Sequence, residues 1–305
     1  MSKKIAEHRI SEEIQDFIID RRARKLSKGT IGFYEEKLTN FNEWFKYKNI
    51  TTIEQITPTE LRLFLIMLET THNPGGVHCF WRSIKAFFFW YEEEYGLSDW
   101  TNPVRKVAPP KVKITPIPGV SMLDVKALLD VCDTRTFAGS RDQAVLRTLV
   151  DTGMRRAEFC NLRIMDLDMA NGTISIIGGK GDKDRHVFAG PTARRDISRY
   201  MKKRISRNPR DWLWVTVSGT QLAPLGLREI IRRRALQANI PIPSPHDFRR
   251  TFAIECLRNG MDLVQLMYLM GHTTTTVLQR YLDVQDNDLM NAHAKSSPVD
   301  HDRHR

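Results

Sequence analysis

The chain has 305 residues, 41% hydrophobic and 27% charged, a balance that suits a folded protein of two ordinary domains rather than one small core. Its longest apolar run, Leu61 to Leu68, is interrupted by Arg62 and is far too short to span a bilayer, and Met1 to Glu7 lack the apolar stretch of a signal peptide. A formal net charge of +11 points to a polyanionic partner, since Lys and Arg contacts to phosphates supply non-specific nucleic-acid affinity.

The first hundred residues read as four helices closing on one core. Ser11-Glu12-Glu13 opens the first, with Ile14, Phe17, Ile18 and Arg21 at helical spacing. The second runs from about Ser27 through Ile31, Tyr34, Leu38, Phe41 and Phe45. Thr57-Pro58-Thr59-Glu60 is a start signal for the third, with a capping Thr, a first-turn Pro and a Glu three residues on. The fourth follows Pro74-Gly75-Gly76. Its aromatics from Phe80 to Tyr95 are suited to base stacking, but their helical spacing favours a bundle core.

Asn102-Pro103 ends the bundle, and Pro109 to Gly119 is a proline-rich, basic, extended linker, so the domain boundary is placed near residue 112. Beyond it, helices are predicted over 121–132, 140–150, 194–204, 225–238, 245–258, 262–270 and 274–281. Two short strands, 173–177 and 185–188, are predicted to pair across Gly178-Gly179-Lys180-Gly181-Asp182. The fold expected is mainly α with one small antiparallel sheet. Basic runs at 21–25, 202–204 and 232–234 read, one by one, as solvated helix faces.

Four local features carry candidate chemistry. In Thr152-Gly153-Met154-Arg155 a glycine turn aims Arg155 from the start of the next helix, although Gly stops many helices and an Arg often follows without further meaning. Gly178 to Lys183 is a hairpin tip bearing Lys180, equally suited to a DNA groove or to plain exposure, and it lacks the spacing of a P-loop. Ser244-Pro245-His246-Asp247-Phe248-Arg249 starts a helix with His246 and Arg249 on one face. The helix N-terminus adds partial positive charge, which suits a phosphate. Gly271-His272 breaks the chain before Thr273 to Tyr281, and nine helical residues span about 13.5 Å, so spacing alone does not join His272 to Tyr281.

There is no H-E-x-x-H, His246 and His272 come with no Cys or carboxylate at ligand spacing, and Cys79, Cys132, Cys160 and Cys256 are scattered. Neither a metal nor another cofactor is expected. The cysteines read as small buried hydrophobes of a reducing compartment, which places the chain in the cytosol.

In their order, Arg155, Lys180, His246-x-x-Arg249, Gly271-His272 and Tyr281 resemble the catalytic domain of tyrosine recombinases, the phage-type integrases and Xer-like site-specific recombinases. The likeness extends to Arg141-Asp142 and Glu158 and covers most of 120–290. The helical first part resembles that family's core-binding, SAM-like domain more loosely. The resemblance implies a core-binding domain over 1–112, a catalytic domain over 113–290 and a polar tail over 291–305. It further implies a C-shaped clamp on double-stranded DNA and a homotetramer on paired sites, nucleoid-associated through that DNA. By the same resemblance Tyr281 is the nucleophile, Arg155 and Arg249 hold the non-bridging oxygens, and Lys180 is the general acid. His246 and His272 hydrogen-bond the phosphoryl group and position Tyr281, His246 assisting its deprotonation. Glu158 orients a catalytic arginine. Arg250 stands where many members have a second His, outside the catalytic set. Few residues precede the first helix, which leaves no room for an arm-binding domain and favours action at short core sites. A type IB-like topoisomerase and a non-catalytic DNA-binding regulator are the alternatives.

Overall fold

The computed structural model describes residues 8–96, 99–112, 118–178 and 184–271, together with 290, 293, 294, 297 and 299. The chain divides into two compact units, Met1–Ile114 and Thr115–Arg305.

The first unit contains α1 (Ile10–Ala23), α2 (Lys28–Tyr47), α3 (Pro58–Glu69) and α4 (Pro74–Tyr95). The starts of α2, α3 and α4 are capped by side chains. The Ser27 hydroxyl accepts the Thr30 amide at 3.2 Å, Thr57 accepts that of Glu60 at 3.2 Å, and Asn73 accepts that of Gly76 at 2.8 Å. Gly96 ends α4 in the left-handed conformation, with φ +53°. The core is built largely of rings: Phe17, Phe41, Phe45, Phe64, Phe80, Phe87, Phe88 and Tyr91 are all fully buried. Many meet edge to face, as Phe41 does with Phe64 at 5.4 Å. The aromatic stripe of α4 is therefore core. Asn102, also buried, donates to the Phe88 carbonyl at 3.1 Å and so fastens the chain leaving the bundle.

The second unit is mainly helical as well: α5 (Met122–Asp130), α6 (Phe137–Thr152), α7 (Arg156–Cys160), α8 (Pro191–Lys202), α9 (Pro224–Gln237), α10 (Pro245–Arg258) and α11 (Leu263–Met270). Strands β1 (Thr173–Ile176) and β2 (Arg185–Phe188) pair antiparallel, with Ile176 opposite Arg185. Helix α6 packs against α5, α8 and α10 and forms the spine of the unit. Trp214 is stacked between Phe159 and Tyr200 at 5.0 and 5.7 Å.

This interior also holds charge. Asp142, fully buried, takes Arg141 on Oδ1 at 2.8 Å and both Arg233 and Arg234 on Oδ2 at 2.7 Å. Arg234 and Arg204 are buried, so the runs 232–234 and 202–204 are not wholly solvated faces. Successive helical residues turn by about 100°, so within α9 Arg234 can face inward while Arg232 stays exposed; Arg204 lies just past the end of α8. The expected helix over 274–281 lies outside the described residues, and no described helix is long and apolar enough to cross a membrane.

Candidate functional site

The site starts at the end of α6. Gly153 takes φ +56°, and a Cβ there would lie 2.3 Å from the Phe252 ring, so both the conformation and the space demand glycine. The turn brings Arg155 to the residue preceding α7. Glu158, one turn on, grips Arg155 twice: Oε2 accepts its backbone amide at 2.9 Å and Oε1 accepts Nη1 at 2.8 Å. Nη2 of Arg155 donates to the carbonyl of Gly271 at 2.6 Å.

Glu158 has a second cation. Arg185, the first residue of β2, donates from Nη1 to Oε1 at 2.9 Å and from Nη2 to Oε2 at 2.7 Å. Burial by itself would raise the Glu158 pKa, but the bonds from Arg185 and Arg155 win and lower it to about 2. The carboxylate is charged throughout the neutral range.

Helix α10 supplies the other half. Asp247 accepts the Ser244 amide at 2.7 Å, and Pro245 occupies the first turn. Arg249 is buried and spans two elements: Nη1 donates to the Gly153 carbonyl and Nη2 to the Met270 carbonyl, each at 2.6 Å. The ring of His246, one turn earlier, lies at the surface. Desolvation by the protein behind it and then the charges of Arg249, Arg156 and Arg250, against Asp247, lower its pKa below the ordinary value. The imidazole is therefore neutral at pH 7, able to accept as well as donate a hydrogen bond. Arg250 pairs with Asp247 and so helps to fix the helix start.

Arg155 and Arg249 thus come together around the Gly153 turn and the C-terminal end of α11, with His246 one helical turn before Arg249. Two guanidiniums beside a helix N-terminus form a site for an oxyanion. Lys180, His272 and Tyr281 lie outside the described residues. Sequence reasoning missed Arg185 and the paired carbonyls of Met270 and Gly271. Arg185 opens a strand, and its carboxylate partner lies 27 positions away, beyond any local motif. Among the described residues no cluster of His, Cys, Asp or Glu has the make-up of a metal site.

The model of the phage integrase family matches residues 121–288. The chain belongs to this family. Tyrosine recombinase XerC of Anoxybacillus flavithermus is 31% identical over 287 residues, covering 90% of this chain and 93% of that protein. Tyrosine recombinase XerD of Listeria monocytogenes is 30% identical over 296 residues, covering 94% and 98%. The fold matches that of a Tn1549 transposon integrase in complex with a circular intermediate DNA, with a TM-score of 0.75 at 16% identity over 95% of this chain and 100% of that one. It also matches a XerH site-specific recombinase bound to a palindromic difH substrate, with a TM-score of 0.73 at 18% identity over 93% and 84%. As a tyrosine recombinase, the chain is an enzyme of site-specific DNA recombination, one that cleaves and rejoins strands.

Proposed function

We propose that this recombinase cleaves double-stranded DNA through Tyr281, forming a 3′-phosphotyrosyl intermediate and releasing a 5′-hydroxyl. Attack by the phenol oxygen forms the new P–O bond as the bond to the 5′ oxygen breaks. Lys180 gives that leaving oxygen its proton. The reverse attack by a 5′-hydroxyl of the partner strand restores the phosphodiester, so rejoining draws on no external energy source. Arg155 and Arg249 hold the non-bridging oxygens, His272 hydrogen-bonds the phosphoryl group, and the neutral imidazole of His246 receives the tyrosine proton.

The single observation carrying this reading is the arrangement of Arg155 and Arg249. They come from separate segments, the residue before α7 and helix α10, yet are fixed at one glycine turn and on consecutive carbonyls at the end of α11. In the domain assignment that follows, 1–112 is the core-binding domain, 113–290 the catalytic domain and 291–305 a tail. The working form is a homotetramer on paired core sites in the nucleoid.

Covalent capture in cells tests the reading. The protein is expressed and denatured, and the ends of any DNA still attached are sequenced. Ends clustered at one short sequence, and absent from Tyr281→Phe, are the expected result. Attachment that persists in Tyr281→Phe overturns it. Arg155→Ala should slow adduct formation by about 10²–10³.

A further inference from the structure

Arg185 touches every described element that holds Arg155. Its fork fills both oxygens of Glu158, and its Nε donates to the Leu269 carbonyl at 3.0 Å, one turn end away from the Gly271 carbonyl that receives Arg155. Gly271, with φ +61°, lies directly on this side chain, and a Cβ there would come within 3.0 Å of Arg185 Cδ and Nε. Its side chain is only 11% exposed, against 24% for that of Arg155. Arg185 is thus turned inward, whereas Arg155 keeps a face towards solvent.

The charges define its task. Glu158 is shared between two guanidiniums, which leaves the trio one net positive charge to offer a phosphodiester monoanion. Without Arg185 the carboxylate would fall wholly to Arg155. The trio would then be neutral, and Arg155 would be drawn towards Glu158 rather than towards a ligand.

We propose that Arg185 is a positioning residue for strand cleavage: it balances Glu158, keeps Arg155 charged and aimed, and ties both to the end of α11. The inference rests on the catalytic reading above. It assigns Arg185 no contact with the reacting phosphate.

The test uses the full-length protein and a duplex carrying the sequence recovered by covalent capture. Single-turnover adduct formation at saturating DNA, DNA affinity and thermal stability are measured for wild type, R185Q, R185K, E158Q and R185Q/E158Q. R185Q should slow adduct formation by about 10- to 100-fold, the scale of a misplaced catalytic group, while affinity stays within about twofold. R185K should fall between R185Q and wild type. The double variant, in which the net positive charge returns, should react faster than R185Q. A purely structural role predicts no such recovery, so a double variant as slow as R185Q overturns the proposal, as does an R185Q of wild-type rate. If R185Q does not fold, R185K decides: adduct formation slower than wild type at unchanged affinity supports the proposal, and a wild-type rate overturns it. A wild type that forms no adduct instead sinks the catalytic reading itself.

Discussion

The two units bury different things. The interior of the first is almost entirely apolar and largely aromatic, and among its described residues Glu13 is the one buried carboxylate. The second buries Arg141, Asp142, Asp196, Arg204, Arg234 and Arg249 within its core. A ring core is held by area and shape, neither of which specifies a partner individually. A core threaded by guanidiniums is held by geometry, because each buried cation is tolerable only with its acceptors in place. On the proposed catalytic reading, the unit that aims cations at a substrate is also the unit that uses cations to build itself.

The largest effects should come from the centres of the two cores. Asp142→Ala strands the buried guanidiniums of Arg141 and Arg234 and releases the half-exposed Arg233, and should cost about 3–5 kcal/mol in chemical denaturation. Phe41→Ala in the first unit should cost a similar amount, about 3–5 kcal/mol, by opening a cavity. The contrast then lies in repair. An apolar residue of different shape should partly restore position 41, whereas no apolar residue should restore 142 while its three arginines remain. Repair of position 142 by leucine alone would break the distinction.

Acid should act next, and through the second unit. Glu158 has a folded pKa of about 2 against an ordinary 4.5, so its contribution to stability is fully present above about pH 4.5. That contribution is lost as pH falls towards 2, because protonation then gives up the bonds from Arg155 and Arg185. Denaturation midpoints measured across this window should fall more steeply in wild type than in Glu158→Gln. Equal slopes would mean that the carboxylate does not carry this charge linkage.

Smaller again is Gly153→Ala, which forces a side chain into a left-handed turn and against Phe252. About 1–3 kcal/mol is expected, with a loss of adduct formation beyond what the change in stability explains. Smallest is Ser27→Ala in the first unit, a lost helix cap of about 1 kcal/mol with no effect on the cleavage step, read by thermal melting and adduct assay together.

The difference between the units also governs what the sequence discloses. The bundle was legible because ring spacing and capping residues are local signals: Thr57-Pro58 begins α3 where the sequence says it should, whereas Pro74-Gly75-Gly76 is the first turn of α4, capped by Asn73, and not a break before it. The Gly153 turn and the start of α10 were legible for the same reason. Helix α7 was legible only as a start beside Arg155, since its five residues are too short for a periodic pattern to fix its extent. Helix α6 begins at Phe137, capped by Thr136, rather than at Ser140, because Ser140 is an interior residue whose hydroxyl bonds the Thr136 carbonyl at 2.8 Å. The ionic core escaped altogether. Asp142 meets Arg234 across 92 positions, and nothing in a basic run tells which of its arginines will turn inward.

The carbonyls of Met270 and Gly271 have a practical corollary for anyone who wishes to retarget the enzyme. Adjacent peptide groups hold the two arginines, so both are wired in parallel to one short helix end, and a displacement there disarms them together. The end itself is seated by Leu266 and Met270, packed with Phe252 and Ala253 in a small cluster apart from the main core. On the proposed catalytic reading, cavity-forming substitutions at those positions should register in a library as inactive clones, indistinguishable by activity alone from failures of DNA recognition. A randomisation scheme that spares this seat loses little diversity and avoids a large class of false negatives.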